Sequence, residues 1–330
     1  MRLRSARSVG SSLFRRYHAA PPQFGRYDVL QSSSAMTSYP SPLAVPDHIV
    51  RPPYVPRNFF TAPWGEHEPG DALDQERHIA KLGGEEENGL RKVAGLAAEV
   101  LHHVGKLVKP GVTTAELDRA VHDMVIARGA YPSTLGYSKF PKSCTTAVNN
   151  VIAHGIPDDR PLLPEDIINI DLTLYFGSYH GDTSQTFVLS DVDKPGRDLV
   201  EATREALELG IRACGPGKQL RDIGSAIEGF AVSHGFSVNS QLAGHGIGKQ
   251  FHQLPWIFHN RNTESGIMMP GDCFTIEPSF VQGSNTRGAL WDDGWTLATE
   301  TGARSAAFEH QVLITHDGVE VLTRRPEEER

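Results

Sequence analysis

The chain has 330 residues, of which 39% are hydrophobic and 22% charged, with a formal net charge of −8. That balance describes a globular protein with ample surface to bury a core. The acidic excess argues against nucleic acid as a partner, no run of about 18 apolar residues can span a membrane, and the three scattered cysteines (Cys144, Cys214, Cys273) provide neither a disulfide framework nor a zinc knuckle.

Residues 1–27 hold six arginines and no lysine or acid. This Arg- and Ser-rich start reads as a mitochondrial presequence, cut after Tyr17 in Arg15-Arg16-Tyr17, which directs the chain to the matrix. A disordered basic arm is the alternative, and Met36 offers an internal start for a shorter cytoplasmic form. Residues 18–75 are proline-dense between Pro40 and Pro63 and predict an extended linker lying on a surface without a core of its own. Residues 76–325, with amphipathic helices alternating with strands, form the expected catalytic unit, and 326–330 a charged tail.

Thr113 to Glu116 has the form of a capping box that opens a helix through Leu117, Val121 and Val125 to Gly129. Residues 169–184, NIDLTLYFGSYHGDTS, alternate as a β-hairpin. With Phe176-Gly177 as its turn, Asp171 falls directly opposite Asp182. Like charges so placed repel unless a cation bridges them or one stays protonated; two solvated acids on an exposed strand is the plainer alternative. An internal repeat bears on that choice. Residues 109–129 align with 215–235 at an offset of 106, and 164–171 align with 270–277 at the same offset, matching Asp171 to Glu277. The expected architecture is two similar α/β halves about a pseudo-twofold axis, each presenting a strand that ends in a carboxylate at the shared interface. His245, flanked by glycines in GHGIG, and Glu309, in SAAFEHQVLIT, join the candidates. Four carboxylates and an imidazole suit two ions of the Mn²⁺, Fe²⁺, Co²⁺ or Zn²⁺ kind.

The stretches IDLTLYFGSYHGDTSQTF, GHGIGKQFH, FTIEP and SAAFEH resemble the metal-binding motifs of type 1 methionine aminopeptidases, and the similarity extends over LGYSKFPKSCTTAVNNVIAHGIPD and WDDGWTLAT. It runs from about residue 80 to 323. The resemblance implies the pita-bread fold, of mixed α+β (α/β) class, with two pseudo-symmetric halves and a central antiparallel sheet flanked by helices. It implies that Asp171, Asp182, His245, Glu277 and Glu309 bind two divalent ions, with Asp182 and Glu309 bridging. It places substrate-contacting histidines at His154 and His252, a proton shuttle at Glu277, and a methionine pocket at Tyr137, Phe140, Phe251 and Trp295 with Thr134 at its rim. The implied reaction is hydroxide attack that removes an N-terminal methionine when the second residue is small.

Departures are few. Thr134 and Thr145 stand where many relatives carry cysteine, and Phe140 where bacterial members carry tyrosine. The zinc region that precedes cytosolic type 1 enzymes has no counterpart, since residues 1–143 lack cysteine. Expected partners are nascent polypeptide N-termini, with ribosomes a further candidate, and neither nucleic acid nor membrane. The rivals are a proline-specific peptidase and a non-catalytic binding protein of the same fold.

Overall fold

The computed structural model describes residues 19–34, 42–63, 66–68, 70 and 76–328. The expected presequence (1–17) and the alternative start Met36 lie outside them. Helices α1 (Glu85–Gly105) and α2 (Thr114–Ala127) precede strands β1 (Tyr131–Pro132), β2 (Thr145–Val148), β3 (Val151–Ala153), β4 (Ile167–Phe176) and β5 (Tyr179–Val188). Helices α3 (Lys194–Arg212) and α4 (Arg221–Ser233) open a second run: β6 (Phe236–Val238), β7 (Gly244–Gly246), β8 (Gln253–Ile257), β9 (Cys273–Ile276) and β10 (Ser279–Gln282). The chain closes with β11 (Gly288–Leu290), β12 (Leu297–Thr299), β13 (Ser305–Ala307), β14 (Glu309–Ile314) and β15 (Val319–Val321).

A nine-stranded antiparallel sheet dominates, in the order β1-β4-β5-β14-β9-β7-β8, with β2 added on β4 and β15 on β14. One face carries the apolar side chains Ile168, Ile170, Leu172 and Leu174 of β4, which join a core with residues of all four helices. The intervening Asn169, Asp171 and Thr173 point to the other face, because successive strand residues alternate. The expected helix at Thr113 forms as α2: the Thr113 hydroxyl accepts from the Glu116 amide at 3.1 Å, and the Glu116 carboxylate accepts from the Thr113 amide at 2.7 Å.

The 106-residue repeat recurs in the hydrogen bonds. Gly111 donates to Leu162 and Gly217 to Met268, both at 2.8 Å, and isolated bridges pair Thr113 with Pro161 and Gln219 with Ile267. Asp166 and Asp272, equivalent and fully buried, are each clamped by a loop amide and an arginine. Asp166 accepts from the Leu163 amide at 2.8 Å and Arg160 at 2.7 Å; Asp272 accepts from the Met269 amide at 2.6 Å and Arg77 at 2.9 Å.

Two sequence expectations need correction. In the hairpin, Gly177 and Ser178 form the turn, at φ 59° and 72°, so Phe176 pairs with Tyr179. Asp171 therefore faces Ser184 and Thr173 faces Asp182; the two aspartates are diagonal neighbours on one face, and β4 runs on past Asp171 instead of ending there. The proline-dense extension is no coreless linker: Val45, Ile49, Tyr54, Val55 and Phe59 are buried in a cluster with Tyr131, Leu135, Tyr175 and Phe251. Its prolines start turns, with Pro46, Pro52 and Pro56 carbonyls accepting from Ile49, Val55 and Phe59, and each turn drives an apolar side chain inward. The tail is folded at least to Glu328, whose carboxylate pairs with Arg325 and lies 3.5 Å from His310.

Replacing Asp166 by Ala takes from the buried Arg160 its close carboxylate and leaves, among the described residues, only Asp28 at 3.6 Å as an ion-pair partner. A loss of about 3–5 kcal/mol is expected, the usual cost of breaking a buried ion pair from one side, read from urea unfolding; a loss below about 1 kcal/mol would show that the clamp is dispensable.

Candidate metal centre and pocket

The polar face of the large sheet opens into a cavity of about 270 Å³. Asp171 enters from β4, Asp182 from β5, His245 from β7 and Glu309 from the start of β14, while Glu277 follows the last residue of β9. Ligand atoms of Asp182, His245 and Glu309 all lie within 4.8 Å of one another. His245 Nε2 stands 3.6 Å from both Asp182 Oδ2 and Glu277 Oε1. All twelve side chains named from the sequence line this one cavity.

Close backbone packing delivers His245. A Cβ on Gly244 would lie 2.4 Å from the Thr275 carbonyl oxygen, and one on Gly246 would lie 2.2 Å from that of Leu254. Side chains larger than hydrogen at either place would push β7 off β9 or β8 and carry the imidazole with it. Hydroxyls fix the carboxylates: Thr173 donates to Asp182 at 2.7 Å, Thr275 to Glu277 at 2.7 Å and Thr145 to Asp171 at 3.4 Å. His259 Nε2 accepts from the Glu277 amide at 2.9 Å, and Gln311 accepts from the Asp182 amide at 3.1 Å. Glu309 is steadied from behind. Thr183 donates to its carbonyl at 3.0 Å and accepts from the fully buried Arg325 at 2.9 Å.

Burial and mutual repulsion set the charge states. Loss of solvent raises the Asp171 carboxyl to about 6 and that of Glu277 to about 8. Burial, followed by neighbouring carboxylates, holds Asp182 and Glu309 well above the usual range. Burial also lowers His245 to about 4, leaving a neutral imidazole with a lone pair to offer. No lysine or arginine lines the cavity among the described residues, so no side-chain cation neutralises the cluster there. An oxygen-rich donor set with one neutral nitrogen and no competing cation fits divalent metal.

Beside this floor stands an aromatic wall. Tyr137 and Phe251 meet edge-on at 4.9 Å, and Phe140 and Trp295 at 5.0 Å. His252 packs on Phe251 at 4.1 Å and His245 at 4.1 Å, and its Nδ1 is buried without a hydrogen-bond partner. His154, at φ 58° in the left-handed region, lies 6.2 Å from Trp295. Thr134 lines the cavity and spends its hydroxyl on the Lys142 carbonyl at 3.1 Å. Sequence reasoning missed Leu242, Ala243 and Trp256 in the lining and the roles of Thr145, Thr173 and Thr275. A threonine in a strand reads as an ordinary β-former, and only the register reveals which carboxylate it serves.

The pattern of metallopeptidase family M24 matches residues 88–316. Methionine aminopeptidase 1D of Arabidopsis thaliana, a chloroplastic/mitochondrial protein, is 49% identical over 280 residues, which is 85% of this chain and 76% of that one. The mitochondrial methionine aminopeptidase 1D of Danio rerio is 43% identical over 303 residues, covering 92% and 85%. The crystal structure of methionine aminopeptidase from Rickettsia prowazekii superposes with a TM-score of 0.73 at 38% identity, over 75% of this chain and all of that one.

A raised carboxyl pKa links stability to pH. Folded Glu277 keeps its proton up to about 8, whereas the unfolded chain releases it near the ordinary 4.5, so folding stability falls as pH climbs through that window. Glu277→Gln removes this titration. Chelator-treated variant should therefore gain melting temperature over chelator-treated wild type progressively between about pH 4.5 and 8; parallel pH profiles would refute the assignment.

Proposed function

The chain belongs to metallopeptidase family M24, among its type 1 methionine aminopeptidases of pita-bread fold, and we propose that it removes the initiator methionine from nascent polypeptides whose second residue is small, with two divalent ions. The observation that carries this reading is the union, in one cavity, of a buried acid-and-imidazole floor with an aromatic wall. Five donor side chains offer more atoms than a single ion takes, which supports room for two ions among them. Divalent ions held by Asp171, Asp182, His245, Glu277 and Glu309, whether Co, Mn, Fe or Zn, would supply the Lewis acidity that makes water nucleophilic near neutral pH and polarises the scissile carbonyl.

The chain's own groups do the rest. Tyr137, Phe140, Phe251 and Trp295 receive the methionine side chain, whose polarisable sulfur suits aromatic neighbours, with Thr134 at the rim. The acidic floor favours a free α-amine, so the substrate binds by its terminus. Glu277, whose Oε1 accepts from Thr275, would take up the proton that the attacking water gives up and pass it to the leaving amine. His252 would donate a ring N–H to the developing oxyanion, and His154 would reach the scissile amide nitrogen, both from the cavity lining. A confined cavity around the scissile bond limits the second residue to a small one. Nascent chains are then the substrates, and ribosomes the place where they are met.

Metal-stripped protein reloaded with Mn²⁺ or Co²⁺ should release methionine from Met-Ala-Ser and nothing from a Xaa-Pro peptide. Glu277→Ala with metal bound should lose at least about 10²-fold in kcat, the scale of general acid–base catalysis. Cleavage of the Xaa-Pro peptide, or near-normal turnover by the variant, would overturn the reading.

The Arg-rich start and the organellar names of the relatives support mitochondrial delivery. A fluorescent protein carrying residues 1–40 should collect in mitochondria; diffuse cytosolic signal would favour the shorter form from Met36.

A further inference from the structure

The proline-dense extension reaches the substrate pocket from behind. The Tyr54 hydroxyl donates to the Ser133 carbonyl at 2.6 Å, one residue before the pocket-lining Thr134. Its ring meets Tyr137 edge-on at 5.1 Å and 86°, so it backs one member of the aromatic wall directly. It also stacks on His180 at 6.0 Å and 22°, and His180 stacks in turn on Phe251 at 5.4 Å and 13°. His180 is fixed for this purpose: Ser133 Oγ lies 2.8 Å from its Nδ1, and its amide donates to the Gly248 carbonyl at 2.8 Å. Tyr54 thus backs both members of the Tyr137–Phe251 pair, Tyr137 by direct ring contact and Phe251 through the His180 imidazole.

The loop it supports needs support. Gly136, Ser138 and Lys139 all take positive φ, and for the two non-glycine residues, at 44° and 70°, that conformation is costly. Val55 closes over the same loop, with a methyl 2.9 Å from where a Cβ on Gly136 would stand.

We propose that Tyr54 is a positioning residue for the apolar substrate pocket, setting the placement of Tyr137 directly and of Phe251 through His180. The inference rests on reading that pocket as the site of the methionine side chain. It assigns the extension a part in side-chain selectivity, separate from the metal floor, which Tyr54 does not line.

The test compares Tyr54→Ala and Tyr54→Phe with wild type on Met-Ala-Ser and norleucyl-Ala-Ser, with Mn²⁺ affinity measured by calorimetry. Tyr54→Ala should raise KM for Met-Ala-Ser about tenfold and narrow the preference for methionine over norleucine, with kcat within about twofold and Mn²⁺ affinity unchanged. Tyr54→Phe, which keeps the ring and the fold, should recover most of the selectivity. Unchanged KM and selectivity in Tyr54→Ala, or a fall in kcat together with Mn²⁺ affinity, would overturn the inference. Should Tyr54→Ala not fold, Tyr54→Leu takes its place, with the same shift expected and the same results counting against it. A wild type that releases no methionine would overturn the functional reading along with this one, whereas an active wild type matched by its variants would overturn this one alone.

Discussion

Four carboxylates within one buried cavity cannot all be ionised unless positive charge joins them. Two like charges about 4 Å apart repel by roughly 4 kcal/mol even at an effective dielectric of 20. Among its described residues the fold lines the cavity with no lysine or arginine, and Arg325 favours an ionised Glu309 only from behind Thr183. The fold holds the acids in place from outside, with threonine hydroxyls, a glutamine and the imidazole of His259, and leaves the neutralising charge to be supplied. The pseudo-twofold repeat makes such a cluster attainable. Each half anchors one strand by a buried aspartate clamped with an arginine, Asp166 or Asp272, and presents a second acid further along, Asp171 or Glu277. Strong local anchors let the strands carry groups that would otherwise drive them apart.

Much of this could be read from the residues. The offset of 106 exposed the two halves because equivalent turns need equivalent glycines, and those turns share their hydrogen bonds. The hairpin register was legible only in part. A glycine at 177 serves either of two adjacent turns, and the one that forms places Ser178 in a left-handed conformation that sequence patterns disfavour. Moving the turn by one residue changes the cross-strand partners by two, which leaves every side chain on its original face. The acids therefore still converge, along a diagonal.

The aromatic wall and the extension were less legible, for related reasons. Tyr137 and Phe251 are at once cavity lining and members of a buried apolar cluster, so no spacing rule separates pocket from core. Proline density signals extended chain when prolines act alone. Here Pro46, Pro52 and Pro56 each begin a turn whose hydrogen bond closes three residues later, and the turns pack. Only the partner surface, unknown to the sequence, decides between these outcomes.

The arginine behind Glu309 has a consequence for the order of events during synthesis. The last acid of the floor is supplied by β14, and its carbonyl is held through Thr183 by Arg325, sixteen residues further on. A chain still emerging from the ribosome has its first three acids in hand but lacks the residue that steadies the fourth. The acidic floor is thus completed, and its last member steadied, only by the final strands of the chain.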